Sequence, residues 1–323
     1  MKTLLNSFKD GSTFLLEVPI PKIKPKNLLI KSSLSLLSSG TERMLIEFGK
    51  ANLFQKALQQ PEKVKDVLNK ISTDGAFATF DSVKNKLEES INMGYSNVGV
   101  VVAVGQGAKG FQVGDRVVSN GSHSEYNLVP QNLCAKIPDN VSDENAVFTI
   151  LSAIGLNGIR LANPLFGETF LVSGLGIIGL LTSQILKAQG CNVIGIDPDK
   201  NKCKLAKNFG VKTLILDEKQ DPLKWCLSQT SNVGLDGVII TASTKSNKPI
   251  ELAANASRKK GRIILVGLSG LDLNRDQFYK KELTFKVSCS YGPGRYDPIY
   301  ENDGIDYPVG YVRWTEQRNF EAV

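Results

Sequence analysis

Residues 174–179 read Gly-Leu-Gly-Ile-Ile-Gly, a spacing that lets backbone bind phosphate. Gly174 lets the chain leave a strand in a tight turn. Gly176 has no Cβ to hold a pyrophosphate away, and Gly179 lets the next helix pack closely on the sheet. The helix start then aims its free N–H groups and the positive end of its dipole at the phosphates. Thr169-Phe170-Leu171-Val172 leads in, a helix-like stretch from Leu180 to Gln189 leads out, and an apolar run from Asn192 to Ile196 ends in Asp197. Asp197 stands 18 residues past Gly179, close to the roughly 20-residue offset of the acid that binds a ribose 2′-hydroxyl. Strand, glycine turn, helix and a second strand closing on an acid make a dinucleotide site. A carboxylate there repels a 2′-phosphate, so NAD is expected over NADP. Leu175, Ile177 and Ile178 complete the turn, and Lys202 and Gly267 are read as further cofactor contacts. The alternative is a glycine-rich turn in a non-binding α/β domain.

The elements that must hold this turn run from about 151 to 290. Helix-like Lys200–Phe209 follows the second strand. Then come Thr213–Leu216, a helix-like segment at Pro222–Gln229, the apolar run Gly237–Thr241, helix-like Pro249–Ser257 and the strand Arg262–Gly267. Strands alternating with helices predict an α/β fold with a doubly wound parallel sheet. Continuous apolar strands suit a sheet covered on both faces.

The first 150 residues read differently. Short β-like runs at Thr13–Val18, Leu28–Leu37, Val98–Val104, Arg116–Ser119 and Glu125–Val129 are separated by turns such as Gly105-Gln106-Gly107 and Val113-Gly114-Asp115. They predict a compact β-rich domain. Between about 47 and 92 the pattern turns charged and helix-like, as in Pro61-Glu62-Lys63-Val64-Lys65-Asp66, and reads as a helical insertion. From residue 291 the chain is turn-rich, and a helix is expected to start near Tyr311. The 291–323 tail is expected to return toward the first domain and to be cut short of a longer protein.

A chain of 323 residues holds about two domains. No apolar run approaches the roughly 20 residues that span a bilayer, and the N-terminus lacks the apolar core of a signal peptide. No membrane partner and a cytoplasmic location are therefore expected. None of the five cysteines forms a CxxC pair, which argues against a disulfide framework or zinc ribbon. The net charge of +7 either steers an anionic small molecule toward the protein or is a solvated surface. Its basic residues form no long run and no nucleic-acid motif, so no nucleic-acid partner is expected.

Residues 99–105 (Gly-Val-Val-Val-Ala-Val-Gly), Gly110 to Val117, Glu17 to Pro21 and Gly261 to Gly267, together with the glycine turn, resemble the medium-chain dehydrogenase/reductase superfamily. The resemblance implies a GroES-like β-rich catalytic domain over 1–150, a Rossmann domain over 151–290, and an alcohol dehydrogenase-like, NAD(P)-dependent oxidoreductase. Ser39-Gly40-Thr41-Glu42-Arg43, Gly94 to Gly99, Tyr291 to Pro298 and Tyr307 to Asn319 are similar to the N-terminal half of bi-domain oxidoreductases of bacterial polysaccharide biosynthesis. That similarity implies a sugar or sugar-nucleotide substrate and a second, C-terminal oxidoreductase domain. Relatives of this fold imply a homodimer.

One departure redirects the chemistry. Zinc-dependent members carry a cysteine where this chain has Ser39 and a Gly-His-Glu motif where it has Gly94-Tyr95-Ser96. The third-ligand region, Phe148-Thr149-Ile150, offers no donor. The lone histidine, His123, is read as structural, since one histidine without partners cannot build a zinc site. No zinc is expected. Tyr95 then becomes the candidate acid, because a phenol donates a hydrogen bond or a proton. Ser39 and Thr41 are candidates to orient substrate, and Glu42 a candidate base if buried. Each has a plain structural alternative: Tyr95 as packing, and Thr41 as the cap of a helix. Functionally, a quinone or enone reductase and a non-catalytic dinucleotide-binding redox sensor stay open beside the carbonyl/alcohol reading.

Overall fold

The computed structural model describes residues 1–51, 90–217 and 219–323. Most of the helical insertion expected at about 47–92 lies outside the described residues. The chain divides into two compact units, Met1–Val147 and Phe148–Val323.

The first unit is built from antiparallel strands. β1 (Lys2–Ser7), β2 (Thr13–Glu17) and β4 (Ser90–Asn92) form one sheet in the order β2-β1-β4. β3 (Asn27–Ser35), β5 (Asn97–Val104), β6 (Arg116–Ser119), β7 (Tyr126–Pro130) and β8 (Cys134–Lys136) form another in the order β7-β3-β5-β6-β8. Leu28, Ile30, Val101, Val117 and Val129 gather from these strands into one apolar cluster. Helix α1 (Ser39–Lys50) follows β3, and a single turn, α2 (Asp143–Ala146), closes the unit.

The second unit opens with α3 (Thr149–Ala162). It continues β9 (Thr169–Ser173), α4 (Ile177–Ala188), β10 (Asn192–Asp197), α5 (Lys200–Asn208), β11 (Lys212–Ile215), α6 (Pro222–Ser228), β12 (Leu235–Ile240), α7 (Lys248–Ala256), β13 (Ser257–Leu265), α8 (Arg275–Tyr279) and β14 (Thr284–Val287). The strands are all parallel, in the order β11-β10-β9-β12-β13-β14, the doubly wound arrangement expected. Their two-residue period sorts the core. Leu171, Ile194, Val238, Ile240 and Ile263 face a cluster with Cys226, Ile250 and Ala253 from α6 and α7. The intervening Phe170, Val172, Val193, Ile239 and Ile264 face Ile159, Leu186 and Cys203 from α3, α4 and α5. The middle of the central strands is apolar on both faces because helices cover both.

The chain beyond Ser290 packs on α3. Short α9 (Pro298–Glu301) precedes α10 (Glu316–Ala322), which begins five residues later than the helix expected at Tyr311. Trp314 lies flat between two guanidinium groups, with Arg160 3.4 Å and Arg313 3.9 Å from its ring centre. Thr315 caps the helix by accepting the Arg318 N–H. Among the described residues, no helix is long and apolar enough to cross a membrane.

Candidate functional site

The glycine turn joins β9 to α4. Gly174 has φ +100°, and a Cβ there would lie 2.6 Å from the Ala242 amide nitrogen. The turn therefore takes a conformation and a clearance that favour glycine. A Cβ at Gly179 would lie 1.9 Å from the Gly174 carbonyl oxygen, which fixes how closely α4 approaches the strand. At Gly176, the N-cap of α4 with no side-chain cap, a Cβ would meet nothing within 4 Å. A ligand can approach the backbone closely there, in front of a helix N-terminus. Leu175 is fully buried and lies against Gly195 of β10, while Ile177 and Ile178 are half-buried.

Asp197 ends β10 and is 5% exposed. Its Oδ2 accepts the Leu175 N–H at 2.7 Å, and its Oδ1 accepts the Asp199 N–H at 2.8 Å. The acid thus ties the strand end to the glycine turn and keeps lone pairs for a further donor. Lys202, on α5, sets its Nζ 3.9 Å from Asp197 Oδ1. Thr241 Oγ1 donates to the Gly174 carbonyl at 2.6 Å. Gly267 follows β13, where a Cβ would lie 2.2 Å from the Ala242 carbonyl. The second unit therefore gathers Gly174–Gly179, Asp197, Lys202 and Gly267 around one turn, and adds Thr241 and Ala242, which the sequence reading missed.

A separate polar cluster stands in the first unit. Tyr95 Oη donates to Ser38 Oγ at 2.9 Å, and Thr41 Oγ1 lies 3.3 Å from the same phenol oxygen. Ser38, not Thr41, is the N-cap of α1. Its hydroxyl serves Tyr95 and makes no cap bond. Glu42 is 2% exposed, with Oε1 accepting the Ser38 N–H at 2.7 Å and Oε2 3.0 Å from His123 Nε2. His123 Nδ1 lies 2.8 Å from Ser35 Oγ. Ser39 is exposed at the first position of α1, and its neighbour Ser38 meets the phenol. His123, read from sequence as structural, is bonded on both ring nitrogens. Ser35 and Ser38 were missed because single serines carry no periodic signal.

Two family models match, an alcohol dehydrogenase GroES-like domain over residues 66–139 and a zinc-binding dehydrogenase over residues 178–302, between them more than half of the chain. An alcohol dehydrogenase of Geobacillus stearothermophilus is 30% identical over 213 residues, 56% of this chain and 61% of that protein. L-threonine 3-dehydrogenase of Serratia proteamaculans is 29% identical over 277 residues, 72% of this chain and 79% of that protein. The chain thus spans about three-fifths of the length of the first of these curated relatives. The solved structure of 2R,3R-butanediol dehydrogenase from Bacillus subtilis shares the fold, with TM-score 0.70 and 20% identity over 90% of this chain and 85% of that one. The two units are accordingly a GroES-like domain and a Rossmann-like domain.

Proposed function

Because the chain belongs to the medium-chain dehydrogenase/reductase superfamily, we propose that it is a zinc-independent, NAD-preferring oxidoreductase that moves a hydride between the nicotinamide and a carbonyl or alcohol carbon. The observation that carries the reading is the glycine turn, open in front of Gly176 and tied to Asp197 through the Leu175 amide. These residues fit a dinucleotide. The α4 N-terminus and the Gly176 backbone would hold the pyrophosphate, and the Asp197 carboxylate would accept from the adenosine ribose. A 2′-phosphate would bring negative charge against that acid, and Lys202 at 3.9 Å offsets only part of the repulsion. When bound, the dinucleotide supplies the hydride carrier.

The zinc that the matched model's description implies does not fit the residues here. Ser39 and Tyr95 stand where two of its donors would be, and among the described residues no three His, Cys, Asp or Glu side chains gather to hold a metal. No step is therefore routed through a metal. In the reduction direction, as hydride reaches the carbonyl carbon, the Tyr95 phenol gives its proton to the carbonyl oxygen, and the hydroxyls of Ser38 and Thr41 stabilise the phenolate left behind. Oxidation runs the same transfers in reverse. A secondary alcohol or ketone on a sugar or sugar nucleotide is the substrate class we favour. L-threonine and 2R,3R-butanediol, for which two of the relatives are named, both carry a secondary alcohol, and net charge +7 favours an anionic substrate.

The test is NADH and NADPH oxidation against a panel of keto-sugars, sugar nucleotides, quinones and enones, with and without 1,10-phenanthroline. Chelator-resistant turnover of a ketone is expected. Tyr95→Phe should lower it by about 100-fold or more, the usual contribution of a general acid, with NADH affinity unchanged. One tightly bound zinc per chain with chelator-sensitive turnover would overturn the zinc-independent reading. Tight NADH binding with no turnover of any panel member would favour the sensor.

A further inference from the structure

We infer that His123 is a positioning residue for Tyr95: it holds both ends of the hydrogen bond between the phenol and Ser38. The inference rests on the proposed role of Tyr95 and extends it to a histidine that the reaction itself does not touch.

One end is held through Glu42. A buried carboxylate needs a donor at each oxygen, and Glu42 has the Ser38 N–H on Oε1 and His123 Nε2 on Oε2. An imidazole N–H at Nε2 gives Oε2 the donor it needs. Without the imidazole, Oε2 is left buried and unpaired. Glu42 then gains by turning toward water, and in turning it gives up the Ser38 amide. That amide belongs to the residue whose hydroxyl accepts from Tyr95 at 2.9 Å.

The other end is held through Gly94. Gly94 has φ +87°, and a Cβ there would lie 2.8 Å from three atoms of the His123 ring. The imidazole therefore lies directly on the backbone that leads into Tyr95. The ring is itself fixed. The His123 N–H donates to the Met93 carbonyl at 2.7 Å, the Leu4 N–H donates to the His123 carbonyl at 2.9 Å, and Nδ1 meets Ser35 Oγ at the end of β3. One side chain thus braces the start of α1 and the segment that carries the phenol against each other.

Amide exchange in the full chain tests this without any substrate. His123→Ala and Glu42→Ala should each speed exchange of the Ser38 amide by about tenfold, the effect of losing a buried hydrogen bond. His123→Gln, whose side-chain N–H can still reach Glu42, should restore it to within about threefold. The amides of Val98 and Val117 should not change, since they belong to the sheet core and report global opening. Unchanged Ser38 exchange in His123→Ala, or a rise shared equally by Val98 and Val117, would overturn the proposal. A double-mutant cycle on NADH turnover with 9,10-phenanthrenequinone supplies the second readout. His123→Ala should cost little further rate once Tyr95 is Phe, and an undiminished loss in that background would overturn the link to Tyr95. If Tyr95→Phe alone leaves turnover at the parent rate, the role given to Tyr95 falls, while the exchange result still decides whether His123 holds Ser38.

Discussion

At Gly176 an added methyl group would meet nothing within 4 Å, whereas at Gly174 it would press on the Ala242 backbone with φ at +100°. Two substitutions of the same size should therefore do opposite things. Gly176→Ala should fold with stability within about 0.5 kcal/mol of the parent, yet bind NADH at least about tenfold more weakly, because the methyl group would obstruct a pyrophosphate's close approach to the backbone. Gly174→Ala should lose about 1–3 kcal/mol of stability, the usual strain of a non-glycine residue in that region of backbone space. Denaturant melts and NADH fluorescence titrations on the two variants separate these outcomes. Asp197→Ala should weaken NADH by about tenfold, the scale of a lost charged hydrogen bond, and bring NADH and NADPH affinities together. An unchanged preference would remove Asp197 from the ribose. The spacing of Gly174, Gly176, Gly179 and Asp197 was legible because each lies in one local strand-turn-helix-strand unit. The Asp197 carboxylate reaching back to the Leu175 amide was not, and neither was the His123–Glu42 pair. Those contacts are made across 22 and 81 residues, and no local period records them.

Among the elements, the parallel sheet was the easier part to read. Each strand buried on both faces shows itself as an unbroken apolar run, as in Val238-Ile239-Ile240. The elements beyond Ser290 were harder, because their anchors are stacked rings and buried charges. Glu316, in the first turn of α10, is 0% exposed, and neither carboxylate oxygen has a hydrogen-bond partner among the described residues. Burial, reinforced by the nearby Glu301 and only partly relieved by Arg295, pushes its carboxyl up to about 8. A carboxyl whose folded value is raised stabilises the fold fully below its ordinary value near 4.5. That contribution is lost as pH climbs through 8, since the unfolded chain releases the proton earlier. Stability of the second unit should accordingly fall between about pH 5 and pH 8, with a slope of up to about 1.4 kcal/mol per pH unit from this group. Glu316→Gln, neutral throughout, should flatten that slope and be the more stable protein at pH 8.5. Urea melts at several pH values check it, and equal slopes in both proteins would assign the dependence elsewhere.

On the scale of the whole molecule, the apolar clusters divide at the same boundary as the two units. One draws on Leu28 to Cys134, the others on Ile159 to Leu265. A unit with its own core is a unit that can fold by itself. The residues proposed for the dinucleotide, Gly174 to Gly179, Asp197, Lys202 and Gly267, all fall in the second unit, and Tyr95, Ser38, Thr41 and Glu42 all fall in the first. Cofactor binding and chemistry should therefore be separable by cutting the chain. A fragment of residues 148–323 should melt in a single cooperative transition and bind NADH within about tenfold of the full chain, and it should oxidise none of it with any carbonyl compound. Calorimetry and fluorescence titration on the fragment provide the check. If the fragment folds and no longer binds NADH, the first unit contributes directly to the dinucleotide site, and the assignment of that site to the glycine turn and Asp197 alone is too narrow.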